Sequence, residues 1–255
     1  MFNIFENNTK DFEFLLQSMG QQIYVDGLPY QAIISQQKSI KTKNDIFIST
    51  KEPLERGATV FYKGLHWLLQ SPMVVPRVNS YKGLLTLAEH EITFNLKDLE
   101  DKNGLRPVKY LLKVPAVVSL TGDFTGNYST GLGGDTLASE IHVFVTDNAK
   151  TRRVQALLQQ GNEVQIVFGG FLYEALGVST VSKGVLEITF KQTLLNDSVD
   201  LENGIAWQDE YFPDDWQDRI DDTMLQVYPN GILPVEELEV PEDDNGGWGS
   251  SGSWG

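Results

Sequence analysis

GATVFYKGLHWLLQ, residues 57–70, holds the decision about the fold. Thr59–Tyr62 and Trp67–Gln70 are short β-prone runs separated by Lys63-Gly64. Such runs broken by a glycine turn read as a hairpin, because glycine enters the left-handed region at little cost. The hairpin leads on to Lys82-Gly83-Leu84-Leu85-Thr86-Leu87, a strand entered through a Lys-Gly turn. A second stretch follows the same plan: Gly161, Val164, Gly169 and Tyr173 lead to Lys183-Gly184-Val185-Leu186-Glu187-Ile188. The same logic used twice predicts two related β-modules, with Trp67 and Tyr173 as core anchors.

Outward from these hairpins the pattern repeats. Strand-like runs occupy Ile46–Ile48, Gly83–Leu87, Glu91–Leu96, Lys109–Val114, Val117–Leu120, Glu140–Val145, Glu163–Phe168, Leu172–Leu176 and Gly184–Phe190. Near the N-terminus Ile23 and Val25 precede Asp26-Gly27, a hairpin signal, and Tyr30, Ala32 and Ile34 alternate after it. Many short strands at this spacing predict a mainly β chain, with one or two small barrel or sandwich modules. Two helices interrupt the pattern. One is a short N-terminal helix over 9–19, with Asn8 and Thr9 as candidate caps and Gly20 as its stop; the other lies within Asp147–Gln160. The expected organisation is an N-terminal helical arm (1–20), a first β-module (21–121), a Gly-rich loop (122–135), a second β-module (136–206) and a C-terminal arm (207–255).

Charge sharpens the last boundary. The net charge is −15, yet residues 1–196 hold nineteen Lys/Arg and nineteen Asp/Glu. Residues 197–255 hold sixteen acidic residues against Arg219 alone. The arm therefore repels phosphate and lacks the counterion-release drive of a nucleic-acid binder. Within it, Trp216, Ile220 and Met224 recur at i, i+4 and i+8 after Pro213, predicting one apolar stripe on an acidic helix ended by Pro229-Asn230-Gly231. A short helix of this kind needs a surface to dock on. Candidate docking residues are Trp216, Ile220, Met224, the isolated Trp248 and Trp254, and Phe12, Leu15 and Leu16 on the N-terminal helix. GDFTGNYSTGLGGD (122–135) is long enough for a functional loop, and Gly122, Phe124, Tyr128 and Gly133 are candidate oligomer contacts.

Motifs of chemistry are sparse. Zero cysteines exclude disulfides and thiolate ligands. His66, His90 and His142 have no HExxH spacing, so neither a metal nor any other cofactor is expected, and His66 reads as a surface residue. No nucleophile elbow or phosphate-binding loop occurs, and the chain is expected not to be an enzyme. Lys38, Lys41 and Lys43 read as lysines protecting an edge strand. The start of the chain has no basic-then-apolar leader, and no run is long enough for a membrane span, which predicts a chain made and kept in the cytosol without membrane contact, unless it leaves as part of a particle or by lysis.

IFISTKEPLERGATVFYKGLHWLLQSP (46–72), IHVFVTDNAKTRRV (141–154) and the stretch from Gly161 to Ala206 resemble virion structural proteins of tailed phages of Gram-positive bacteria. The opening FLLQSMGQQIYVDG (14–27) is similar to head-tail joining proteins that begin with a short helix. The resemblance spans residues 12–212, with a poor match over Pro107–Asp135 and an unusually long acidic extension. It implies a head-closure (stopper) or related connector subunit located in the virion, forming a homo-oligomeric ring of twelvefold or sixfold order. Its partners would be portal, adaptor or tail proteins, with DNA passing through unbound. Two other readings compete: a carbohydrate- or receptor-binding tail module, and an acidic-tailed single-stranded-DNA-binding protein.

Overall fold

The computed structural model describes residues 10–36, 45–77, 80–97, 109–119, 140–206 and 216–231. The chain is mainly β, as the strand spacing predicted. Helix α1 (Lys10–Met19) leads into β1 (Gln21–Val25), β2 (Leu28–Gln36), β3 (Ile46–Thr50), β4 (Thr59–Tyr62), β5 (Leu65–Leu69), β6 (Val74–Arg77) and β7 (Ser80–Leu87). These seven strands form one antiparallel sheet, in which β1, β2, β3, β7, β5 and β4 pair in a closed ring. Closure removes sheet edges, and β6 adds a short outer strand to β7. Ile23, Ala32, Ile48, Val60, Trp67, Leu69 and Leu85 fill the barrel. Gly83 belongs there because a Cβ would stand 2.6 Å from Leu69 Cδ1.

The second sheet holds β8 (His90–Lys97), β9 (Lys109–Ser119), β10 (Glu140–Thr146), β11 (Gln165–Phe168), β12 (Phe171–Ser179) and β13 (Val185–Thr193). It curls until β11 packs against β8, where the His90 ring meets Phe168 edge-on at 4.9 Å. Helix α2 (Thr151–Gln159) sends Val154 and Leu157 into the core between them, beside the fully buried Tyr173, Phe94 and Phe190. Both expected aromatic anchors are buried, Tyr173 at 0% and Trp67 at 7% exposure.

The sheets divide at residues 88–89, not in the Gly-rich loop where the sequence placed the boundary. Residues 90–119 were expected in the first module, yet β8 and β9 belong to the second sheet. The reason is register. β8 pairs with β9 from His90–Ala116 to Lys97–Lys109, and β9 continues onto β10 at Val117–Phe144. Lys109–Val114 and Val117–Leu120, read as two strands, are one strand running through Pro115 to Ser119. The Gly-rich loop itself lies outside the described residues.

A third apolar cluster joins the sheets: Leu68 on β5 packs with Val117, Phe144 and Val185 on the outer face of the second sheet. Beside it two backbones touch. A Cβ on Gly57 would lie 1.6 Å from the Gly184 carbonyl oxygen, and one on Gly184 would lie 1.9 Å from the Arg56 oxygen. Both glycines also have positive φ, 85° and 87°.

Candidate functional site

Where the two barrels meet, they leave a cleft of about 740 Å³, within the range of ligand and peptide pockets. One wall is the β1–β2 turn and the approach to β4, with Asp26, Glu55, Arg56 and Thr59. The opposite wall is the end of β10 and the segment before α2, with Thr146, Asp147, Asn148 and Lys150. The third is a strap from the C-terminal arm carrying Thr223, Met224 and Tyr228.

The turn dictates the first wall. Asp26 and Gly27 both take positive φ, 48° and 84°, as a two-residue hairpin with right-handed strand twist requires. Asp26 then accepts the Thr59 N–H on Oδ1 at 2.9 Å. Burial pushes its carboxyl above the ordinary range; the Thr59 amide opposes this and the nearby Glu55 charge adds to it. Thr146 donates to the Gly57 carbonyl at 2.8 Å, so the Thr59 hydroxyl, 2.8 Å from Thr146 Oγ1, is the donor between the two threonines. These bonds fix the cleft floor across the joint between the sheets.

Most charges at the second wall are already committed. Arg152 grips Asp147 through Nε and Nη2 at 2.6 and 3.1 Å. Lys150 meets the Asp221 carboxylate at 2.9 Å and also bonds the Thr223 hydroxyl. Burial pushes the Asp221 carboxyl up, but bonds from Thr223 and Lys150 and the lysine charge outweigh it and hold the group below the usual range.

The strap overturns the expected acidic helix. Residues 216–225 form a 3₁₀ turn (Trp216–Arg219), a two-residue strand β14 (Ile220–Asp221) and another 3₁₀ turn (Thr223–Leu225). β14 pairs in parallel with β9 at Leu111 and Leu112, opposite the edge that β8 occupies. Asp221 Oδ1 accepts both the Thr223 N–H at 3.2 Å and its hydroxyl at 2.6 Å. That local turn, with the ladder to β9, satisfies backbone groups a helix would otherwise need. The apolar stripe is therefore split: Met224 packs on the second core, Trp216 is half-buried, and Ile220 is exposed. Further on, the Tyr228 N–H donates to the Gly27 carbonyl at 2.6 Å, so the strap touches both barrels.

The other sequence candidates scatter. Phe12, expected to meet a partner, is buried within its own chain, Leu15 and Leu16 are half-buried, and α1 packs on β2. Its exposed apolar residues are Phe14 (70%) and Met19 (53%). Trp248, Trp254, Gly122, Phe124, Tyr128, Gly133 and the lysines 38, 41 and 43 lie outside the described residues. His66 is not a surface residue. It is half-buried against Phe61 with ring centroids 5.0 Å apart, and burial lowers its pKa while Glu91 opposes that. His142 sits 3.0 Å from Glu187 because β10 and β13 pair.

Sequence reasoning missed the cleft. Asp26 was legible only as a turn residue, and Thr59, Thr146 and Lys150 carried no signal, since only the packing of the barrels brings them together. No helix among the described residues is long and apolar enough to cross a membrane.

Residues 3–87 match the family model described as the YomX N-terminal domain, a phage-associated family name of the Bacillus phage SPbeta-like type. The matched stretch ends at Leu87, the last residue of β7, so it coincides with α1 and the closed barrel. The likeness covers the N-terminal third of the chain. No curated protein and no solved structure matches the chain.

Proposed function

We propose that this chain is a non-catalytic structural component of a tailed phage particle. It forms a ring in the head-tail connector, as head closure or as a neighbouring neck or tail ring, and locks to adjacent rings through terminal arms and loops. The observation that carries this reading is the match to the YomX N-terminal domain over residues 3–87, which spans α1 and the closed barrel.

Several physical features support it. The charge-balanced body lets subunits pack closely without mutual repulsion. Apolar side chains stand exposed away from the cores: Phe14 and Met19 on α1, and Leu176 and Leu194 beside a depression on the outer face of β12 and β13. Such side chains are available for burial against a neighbouring subunit. An acidic arm adds a surface that DNA slides past without being held.

The test has two parts. Peptide mass spectrometry of purified particles should find the protein in the virion in ring-like stoichiometry. Electron micrographs of the recombinant full chain should show closed rings. A protein absent from particles and monomeric at every concentration would sink the reading.

A further inference from the structure

The cleft between the barrels is only partly closed by its own chain. With Asp147 held by Arg152 and Lys150 held by Asp221, its remaining ionic groups are Asp26 and Glu55 against Arg56, whose Nε donates to the Gln70 carbonyl at 2.8 Å. The Asp26 and Glu55 carboxylates repel each other, and desolvation already penalises Asp26. A cation arriving from outside would relieve both penalties. The apolar lining from Ala58 and Met224 suits the methylene stem of a lysine.

This chain carries such a group on the far side of its own barrel. The β2–β3 connection, residues 37–44, reads QKSIKTKN, with three lysines and no acid. Its anchors, Gln36 and Asp45, stand at the opposite end of β2 from the Asp26-Gly27 turn. At roughly 3.3 Å per residue the strand separates the two ends by about 26 Å. In an antiparallel ring successive connections leave from opposite poles, so the anchors of the basic connection and the acidic cleft of one molecule stand at opposite ends of the barrel. The complement is therefore met by another molecule.

We infer that the cleft is the docking site for a second copy of this chain, which inserts the lysines of its β2–β3 connection between Asp26 and Glu55. The contact is head-to-tail, and a repeated heterologous contact closes into a ring when its rotation allows. This inference rests on the ring reading above and supplies its subunit contact.

The experiment uses the full chain in sedimentation and native mass spectrometry, with circular dichroism as the fold control. Wild type should self-associate, and more weakly as salt rises. The variant K38E/K41E/K43E should lose association by about tenfold or more. The pair Asp26→Asn with Glu55→Lys should do the same; Asn keeps an acceptor for Thr59, and the second change reverses the charge that faces the cleft. Mixing the two variants should restore association, because each retains the half that the other has lost. Unchanged oligomers in both variants, or no pairing on mixing, overturn this inference and leave the ring reading standing. A wild-type chain that stays monomeric throughout overturns both, and if oligolysine still binds its cleft, the natural occupant is a foreign basic segment.

Discussion

Gly57 and Gly184 form the tightest point of the molecule. Each has positive φ, and each would drive a Cβ into the other segment's backbone. Backbone cannot rotate away as a side chain can, so Gly57→Ala should cost the strain of left-handed alanine, about 1–2 kcal/mol, plus the displacement of one barrel from the other. Chemical denaturation should show that loss, whereas Gly64→Ala, at φ 78° with nothing near its Cβ, should show only the backbone part. Asp26 makes a second test. Its carboxyl is raised in the folded chain, so ionisation opposes folding. The cost is absent below the unfolded pKa and grows as pH rises through the folded value. Asp26→Asn should therefore raise the melting temperature more at pH 7 than at pH 3.5. A gain equal at both pH values would assign the effect to asparagine's tolerance of φ 48° instead. In the second core, Tyr173→Ala should cost about 3–5 kcal/mol, as for other large buried aromatics.

The strap is the element on which sequence and structure part most clearly. Spacing of Trp216, Ile220 and Met224 spells a helix, and periodicity is a sound guide when a segment must satisfy its own backbone. Here β9 offers an open edge at Leu111 and Leu112, and Lys150 offers a charge to Asp221, so extended backbone wins. Asp221 is held below its ordinary range, which means its contribution is present above the unfolded pKa and is lost as pH falls through the folded value. Hydrogen exchange should accordingly show residues 216–231 and the β9 edge deprotecting together in acid, and Lys150→Ala should produce the same deprotection at pH 7. Truncation locates the element's boundary. Removing 232–255 retains the strap, while removing 207–255 uncovers β9 and Met224's site and should lower the melting temperature below that of the shorter truncation. Equal melting for the two truncations would show that the strap adds nothing to the fold.

At the scale of the whole molecule, two barrels are bound by one apolar cluster, a glycine contact, a threonine pair and a strap that touches both. Those links predict a single calorimetric transition for the full chain, and two transitions once Gly57→Ala is combined with loss of the strap. The sequence alone determined that the chain is β-rich, because alternation of apolar residues and glycine turns is a local property that survives any packing. It determined the pair of modules for the same reason, and the burial of Trp67 and Tyr173, whose apolar area has no better place than a core. It also located the acid in the C-terminal arm, since charge is additive along a chain. Tertiary structure decided the rest. The division at residues 88–89 follows from which strand β9 pairs with, and pairing partners are remote in sequence. The cleft follows from Thr59 meeting Thr146 across eighty-seven residues, and the strap from an edge that exists only after β8, β9 and β10 have assembled. Local pattern fixes what a segment prefers in isolation; long-range pairing fixes what it is offered, and at these points the offer outweighs the preference.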